Sequence, residues 1–134
     1  MAALSTIEGV GPAYEEKLKE AGVSSCEDLL EQGCTKAGRD AICEKSGLSD
    51  KLVLKWVNHA DLMRVKGVGG EYAEILEASG VDTIPELAQR NAANLTAKMN
   101  EVNEEKKLVR SLPSEKQVTD WIEQAKGLDR KITH

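Results

Sequence analysis

The sequence contains no phenylalanine, and only two Trp and two Tyr among its 134 residues. Apolar residues still make up 40% of the chain, so a core can form, but it must be built mainly from Leu, Val, Ile and Ala. That mixture, with few β-branched or aromatic runs, points to helices rather than sheets. Long hydrophobic runs are lacking as well: uncharged apolar stretches extend over only a few residues, which excludes a membrane span. The opening Met1-Ala2-Ala3-Leu4-Ser5 has neither a basic segment nor a hydrophobic run, so no secretory signal is expected. Cysteine is scarce and odd in number. Cys26, Cys34 and Cys43 form no Cys-x-x-Cys pair and, without a secretion signal, indicate reduced, metal-free, largely buried thiols in a cytoplasmic protein. No Gly/Ser-rich or Pro-rich linker interrupts the chain.

A concentrated charge of either sign is also missing. The net charge is −5, with 8 basic and 11 acidic side chains in residues 1–64 and 10 and 12 in residues 65–134. No polybasic tail or stripe appears, which counts against strong, general attraction to nucleic acid or anionic lipid and leaves room for a local contact. The length fits one ordinary domain or two small lobes.

What is present is a repeat. Shifted by 58 positions, residues 7–30 fall on 65–88 with nine identities in 24 ungapped positions: Gly9, Val10, Gly11, Tyr14, Glu16, Leu18, Gly22, Val23 and Leu29 meet Gly67, Val68, Gly69, Tyr72, Glu74, Leu76, Gly80, Val81 and Leu87. At a shift of 65, Lys51, Trp56, Val57 and Ala60 meet Lys116, Trp121, Ile122 and Ala125. The change of shift places about seven added residues between the two blocks of the second copy. Agreement at this level reads as an internal duplication, residues 1–64 and 65–134, forming one compact unit or two closely joined lobes.

Each block has a physical reading. Gly9 and Gly67 supply cheap positive φ for a tight turn, while Gly11 and Gly69 suit a helix N-cap, with Pro12 at the first helical position. The helix should run to Ala21 or Ser79 and stop at Gly22 or Gly80, with Val23 or Val81 touching Leu18 or Leu76. Thr83-Ile84-Pro85-Glu86 reads as a capping box, with Ser25-Cys26-Glu27-Asp28 as its weaker counterpart, and Ser114 with Gln117 forms another. Leu52, Val53, Trp56, Val57, Ala60 and Met63 share one helical face, as do Val118, Trp121, Ile122 and Ala125. Ser46-Gly47-Leu48-Ser49 and Ser111-Leu112-Pro113-Ser114 read as short turns between helices. The predicted fold class is all-α, a tandem duplication.

Leu4-x-x-Ile7-x-Gly9-Val10-Gly11, a helix ending in Ala21-Gly22-Val23 and then Asp28-Leu29-Leu30 resembles the helix-hairpin-helix superfamily. Ser46-Gly47-Leu48-Ser49-Asp50-Lys51-Leu52 resembles the degenerate second hairpin of its paired form. The whole chain is also similar to an uncharacterised bacterial family of duplicated domains of this kind, with Asp61-Leu62-Met63-Arg64 at the junction. The resemblance implies backbone amides and a helix N-terminus aimed at a nucleic-acid phosphate, often with a bound cation; the physical basis is the positive end of the helix dipole. Carried over, the contact positions are Gly9, Val10 and Gly11, and Gly67, Val68 and Gly69, with Arg64 and Lys66 as flanking cations. Members that bind DNA usually carry Lys or Arg just after the glycines; here stand Pro12-Ala13-Tyr14 and Gly70-Glu71-Tyr72. Glu8, Glu15, Glu16 and Glu20 surround the first turn against Lys17 and Lys19, so the second turn is the better candidate.

Other constellations are weaker. Gly9-x-Gly11 lacks the third glycine and preceding strand of a dinucleotide fingerprint, Tyr14 or Tyr72 standing in its place. Cys26, Cys34, Cys43 and His59 match no zinc spacing, and Cys26 and Cys34 align with Ile84 and Ala92. His59 and His134 have no evident nucleophile beside them. Trp56 and Trp121 read as core anchors; Tyr14 and Tyr72 either pack beside the turns or form part of a contact surface. The chain is therefore read as a non-catalytic binding module without a cofactor or metal. Two functions stay open: weak, sequence-independent contact with a phosphate backbone, or a protein–protein adaptor in which the Gly-Val-Gly turns are purely structural. Nucleic acid or a protein is the expected partner; no membrane or small-molecule substrate is indicated.

Overall fold

Helices account for all the regular structure among residues 3–133, the part of the chain that the structure, a computed structural model, describes. A 3-10 turn over Leu4–Thr6 precedes α1 (Pro12–Glu20), α2 (Cys26–Gly33), α3 (Lys36–Ser46), α4 (Asp50–Leu62), α5 (Gly70–Ala78), α6 (Ile84–Ala88), α7 (Ala92–Lys106) and α8 (Glu115–Lys126). The all-α expectation holds, and neither Gly-Val-Gly segment lies in a strand. Among the described residues no helix is long and apolar enough to cross a membrane. The chain divides into two compact units, Met1–Asp61 with Lys131–His134, and Leu62–Arg130. The division thus falls inside the Asp61-Leu62-Met63-Arg64 junction, between Asp61 and Leu62, and Lys131–His134 group with the first unit rather than the second. His134, considered above for catalysis, lies outside the described residues.

In the first unit, Pro12 opens α1 because its missing N–H has no intrahelical partner at that position anyway. The helix ends as its sequence demands. Gly22 adopts φ +87°, its N–H donates to Lys19 O (3.0 Å), and Val23 N–H donates to Leu18 O (2.9 Å), the paired bonds of a Schellman ending. Leu18 and Val23 are both fully buried at that junction. The Ser25 side chain caps α2 by accepting from Asp28 N–H (3.1 Å), and the Thr35 side chain caps α3 by accepting from Gly38 N–H (3.1 Å). On α4 the predicted face is buried at Val53, Trp56, Val57 and Ala60. Leu4, Ile7, Leu18, Leu29 and Ile42 are buried in the same unit, together with the polar Asn58, His59 and Asp61 of α4.

The second unit shows the same local geometry. Gly80 (φ +94°) donates to Glu77 O and Val81 to Leu76 O at the end of α5. Its core joins Val65, Val68, Leu76, Val81, Leu87, Leu95, Met99, Val118, Trp121 and Ile122. Ser114 and Gln117 form the expected capping box on α8, with bonds of 3.1 and 2.9 Å. The box expected at Thr83 does not form. Thr83 occupies the N-cap of α6, but its hydroxyl faces the Glu86 carboxylate (Oγ1–Oε1 3.4 Å) and caps no backbone amide. Pro85, in the first turn, removes one of the N–H groups a cap would serve. The supposedly weaker Ser25 is the one that caps. The units also differ in length: α7 has 15 residues where α3 has 11, and the connection 107–114 is longer than 47–49. Lys107 turns this longer connection away from α7 with φ +52°.

Candidate functional site

The Gly-Val-Gly segments owe their shape to two consecutive tight turns. In the first unit Ile7 N–H donates to Leu4 O and Val10 N–H to Ile7 O, both at 3.1 Å. In the second, Val65 donates to Leu62 and Val68 to Val65 at the same distance. Gly9 and Gly67 take φ +90° and +99°, a conformation that disfavours any Cβ. Val10 and Val68 turn their side chains into the core. Behind each turn stands a tryptophan: a Cβ on Gly9 would lie 3.9 Å from Trp56 Nε1, and one on Gly67 only 3.0 Å from Trp121 Nε1. Both tryptophans are core anchors, 1% and 2% exposed. Each also packs against a tyrosine from the following helix, Tyr14 on Trp56 (5.1 Å between centroids) and Tyr72 on Trp121 (5.2 Å).

Gly11 and Gly69 present a different picture. They are the N-caps of α1 and α5, with ordinary φ of −84° and −95°, and a Cβ on either would meet nothing within 4 Å. Neither the backbone nor the packing requires glycine there. The result is a helix N-terminus uncovered by any side-chain cap. The first-turn amides have no i−4 carbonyl, and Ala73 is the first residue of α5 to bond back, to Gly69 O. Gly70, Glu71 and Tyr72 therefore offer three amides in the second unit, whereas Pro12 removes one of the corresponding three in the first.

The flanking cations are arranged unequally. Lys66 is exposed, and its backbone is pinned by the Gln124 side chain, which accepts from Lys66 N–H (2.9 Å) and donates to Lys66 O (3.1 Å). Arg64 is half-buried and donates through one Nη to Asp129 O (3.0 Å), which draws it into the fold of its unit. Arg110, from the long connection after α7, stands close by instead. Gly67, Gly69, Gly70, Glu71 and Tyr72 line a shallow depression together with Arg110 and Ser111. Arg110 is 92% exposed and pairs with Glu71 at 3.3 Å, while Tyr72 OH donates to Ser111 O (3.1 Å). A pair this exposed holds little energy and yields readily to a stronger anion. Arg110 and Ser111 were not assigned to the site from the sequence, which read Ser111 only as the start of a short turn matching Ser46-Gly47-Leu48-Ser49; the connection is in fact longer, 107–114 against 47–49. Their signal is the change of shift from 58 to 65. In the first unit Tyr14 has no such tether and is 38% exposed.

The thiols are free, but only Cys26 is buried; Cys34 and Cys43 are half-exposed, which corrects the expectation of burial for both. Burial raises the Cys26 thiol above its ordinary pKa. Cys43 is pushed up to about 11 by burial, then by hydrogen bonding to the Asp50 carboxylate and by the charges of Asp50 and Asp40. Among the described residues no group of three or more His, Cys, Asp or Glu is placed to hold a metal ion.

A family model described as a domain of unknown function (DUF4332) matches residues 8–128. The chain belongs to that family. The match takes in both Gly-Val-Gly turns, the connection bearing Arg110, and α8. Comparison with curated proteins and with solved structures yields no match.

Proposed function

We propose that the chain is a tandem duplication of a helix-hairpin-helix unit, and that it is a non-catalytic module making weak, sequence-independent contact with the phosphate backbone of nucleic acid, chiefly at the helix start that follows the turn of Gly67, Val68 and Gly69. One observation carries this reading: Gly69 caps α5 without a structural need for glycine, which leaves the amides of Gly70, Glu71 and Tyr72 open to an anion. Val68 N–H is already committed to Val65 O, so the contact falls on these following amides. Lys66 and Arg110 supply the charge, with Arg64 set back at Asp129. The turn of Gly9, Val10 and Gly11 is secondary: it has one amide fewer and is ringed by Glu8, Glu15 and Glu16.

With two to four cations, binding falls at the weak end, a Kd on the order of 10⁻⁴ M, with a slope of log K against log salt near −0.9 per phosphate contacted on duplex. Titrating labelled duplex and single-stranded DNA at two salt concentrations tests this. Gly69→Asp places a carboxylate on the open amides as an intramolecular cap, so it should abolish binding while leaving the fold as stable as before or slightly more so. The double variant K66E/R110E should abolish binding too, and K17E/K19E should change it little. No binding at low salt, with or without magnesium, would overturn the proposal. It would leave the adaptor reading, for which exposed Tyr14 on acidic α1 is the surface to mutate in a pull-down.

A further inference from the structure

We propose that the first unit contains a docking site for an extended peptide segment of basic–aliphatic character, and that the chain's own Lys131-Ile132-Thr133 occupies it as an intramolecular ligand. The site begins at the C-terminal end of α2, whose last carbonyls have no intrahelical donors. Gly33 O accepts from Arg39 Nη1 (2.9 Å), and Cys34 O accepts from Thr133 N–H (2.7 Å) and Thr133 Oγ1 (3.3 Å). The second Arg39 nitrogen, Nη2, donates to Thr133 O (2.7 Å). Both main-chain groups of residue 133 are therefore held, the manner in which extended peptides are recognised along a backbone. Residue 132 is read by burial: Ile132 is 1% exposed between two exposed neighbours, so the segment presents one side chain inward and two outward. At residue 131 an exposed ion pair, Lys131 Nζ 3.5 Å from Glu31 Oε2, adds a small preference for a basic side chain.

These contacts define the ligand: Lys or Arg, then a branched aliphatic residue, then a residue with its N–H and C=O both available. Arg39 gives the site its demand for an occupant. Arg39 is only 7% exposed, and its guanidinium loses a carbonyl acceptor whenever the segment leaves. A partner protein presenting the same chemistry in trans competes with the resident segment. This inference rests on the first unit alone and is independent of the phosphate reading.

The test uses the full isotope-labelled chain and a synthetic peptide of residues 128–134, followed through backbone amide resonances. In wild type, the Thr133 amide should exchange with solvent at least tenfold more slowly than in the free peptide. Ile132→Asp prevents the resident segment from seating, so added peptide should then shift the amides of Glu31, Cys34 and Arg39 in a saturable way. Wild type should require at least tenfold more peptide, since its own segment competes at an effective concentration of about millimolar. Lys131→Glu, which leaves Ile132 in place, should fall between the two. A Thr133 amide exchanging as fast in the chain as in the peptide overturns the proposal without any variant. A folded Ile132→Asp chain indifferent to millimolar peptide overturns it as well.

Discussion

At Gly67 φ is +99° and a Cβ would press on Trp121 Nε1 at 3.0 Å, whereas at Gly69 φ is ordinary and the space is empty. The fold therefore requires glycine at the first position and not at the second. Gly67→Ala should cost roughly 2 kcal/mol or more, from the left-handed backbone and the crowded indole together. Gly9→Ala, with Trp56 at 3.9 Å, should cost about 1–2 kcal/mol from the backbone alone. Gly11→Ala and Gly69→Ala should fall within roughly 0.5 kcal/mol of wild type, and denaturant melts of the four variants check the order. Sequence spacing already divided the four, assigning positive φ to Gly9 and Gly67 and the helix N-caps to Gly11 and Gly69; it did not show the indole pressed against Gly67 or the empty space at Gly69, because neighbouring volume is a property of the folded chain. The cysteines make the same point. Their freedom from pairing was read from the odd number together with the missing Cys-x-x-Cys pair and secretion signal, while the half-exposure of Cys34 and Cys43 was not legible, since the alignment of Cys34 with Ala92 conveys residue type and not depth. Cys43 should alkylate slowly at neutral pH in a C26S/C34S chain. Its rate should climb roughly tenfold per pH unit up to about pH 10, beyond the point where an ordinary thiol levels off. A plateau near pH 8.5 would contradict the raised pKa.

Helix ends were the most legible elements, because local chemistry decides them. The Gly22-Val23 and Gly80-Val81 endings and the Ser114-Gln117 start follow from side chains within one turn. Thr83 and Ser25 show where such reading fails. Both match the pattern of a cap, yet only Ser25 receives a backbone N–H, from Asp28, while the Thr83 hydroxyl turns to Glu86. Ser25→Ala should accordingly cost about 1 kcal/mol and Thr83→Ala distinctly less, measured by chemical denaturation. The connection 107–114 was hidden for a further reason. A connection five residues longer than its counterpart 47–49 inherits no path from it, so its approach to Gly67 is set by tertiary contacts such as Tyr72 OH to Ser111 O. The candidate site was thus half legible: the glycines from the repeat, Lys66 from its place beside them, Arg110 only from the fold.

On the scale of the whole chain, the all-α class followed from composition and periodicity, and the two units echo the repeat. Their membership does not follow it, because Lys131–His134 belong with Met1–Asp61 while Leu62–Arg130 stand between them in sequence. The second unit is nested within the first along the chain. Nothing in residues 131–133 announces this; a single apolar residue between Lys131 and Thr133 carries no periodicity. Arg39 and Thr133 are separated by 94 positions, and their hydrogen bond closes a loop of that span. Vectorial synthesis gives that closure a direction. Arg39 leaves the ribosome early, but its acceptor is not made until the whole second unit has been translated. A nascent first unit therefore waits, with the carbonyl of Cys34 and one Arg39 nitrogen, Nη2, turned to water, and any delay in translating or folding residues 62–130 lengthens that wait.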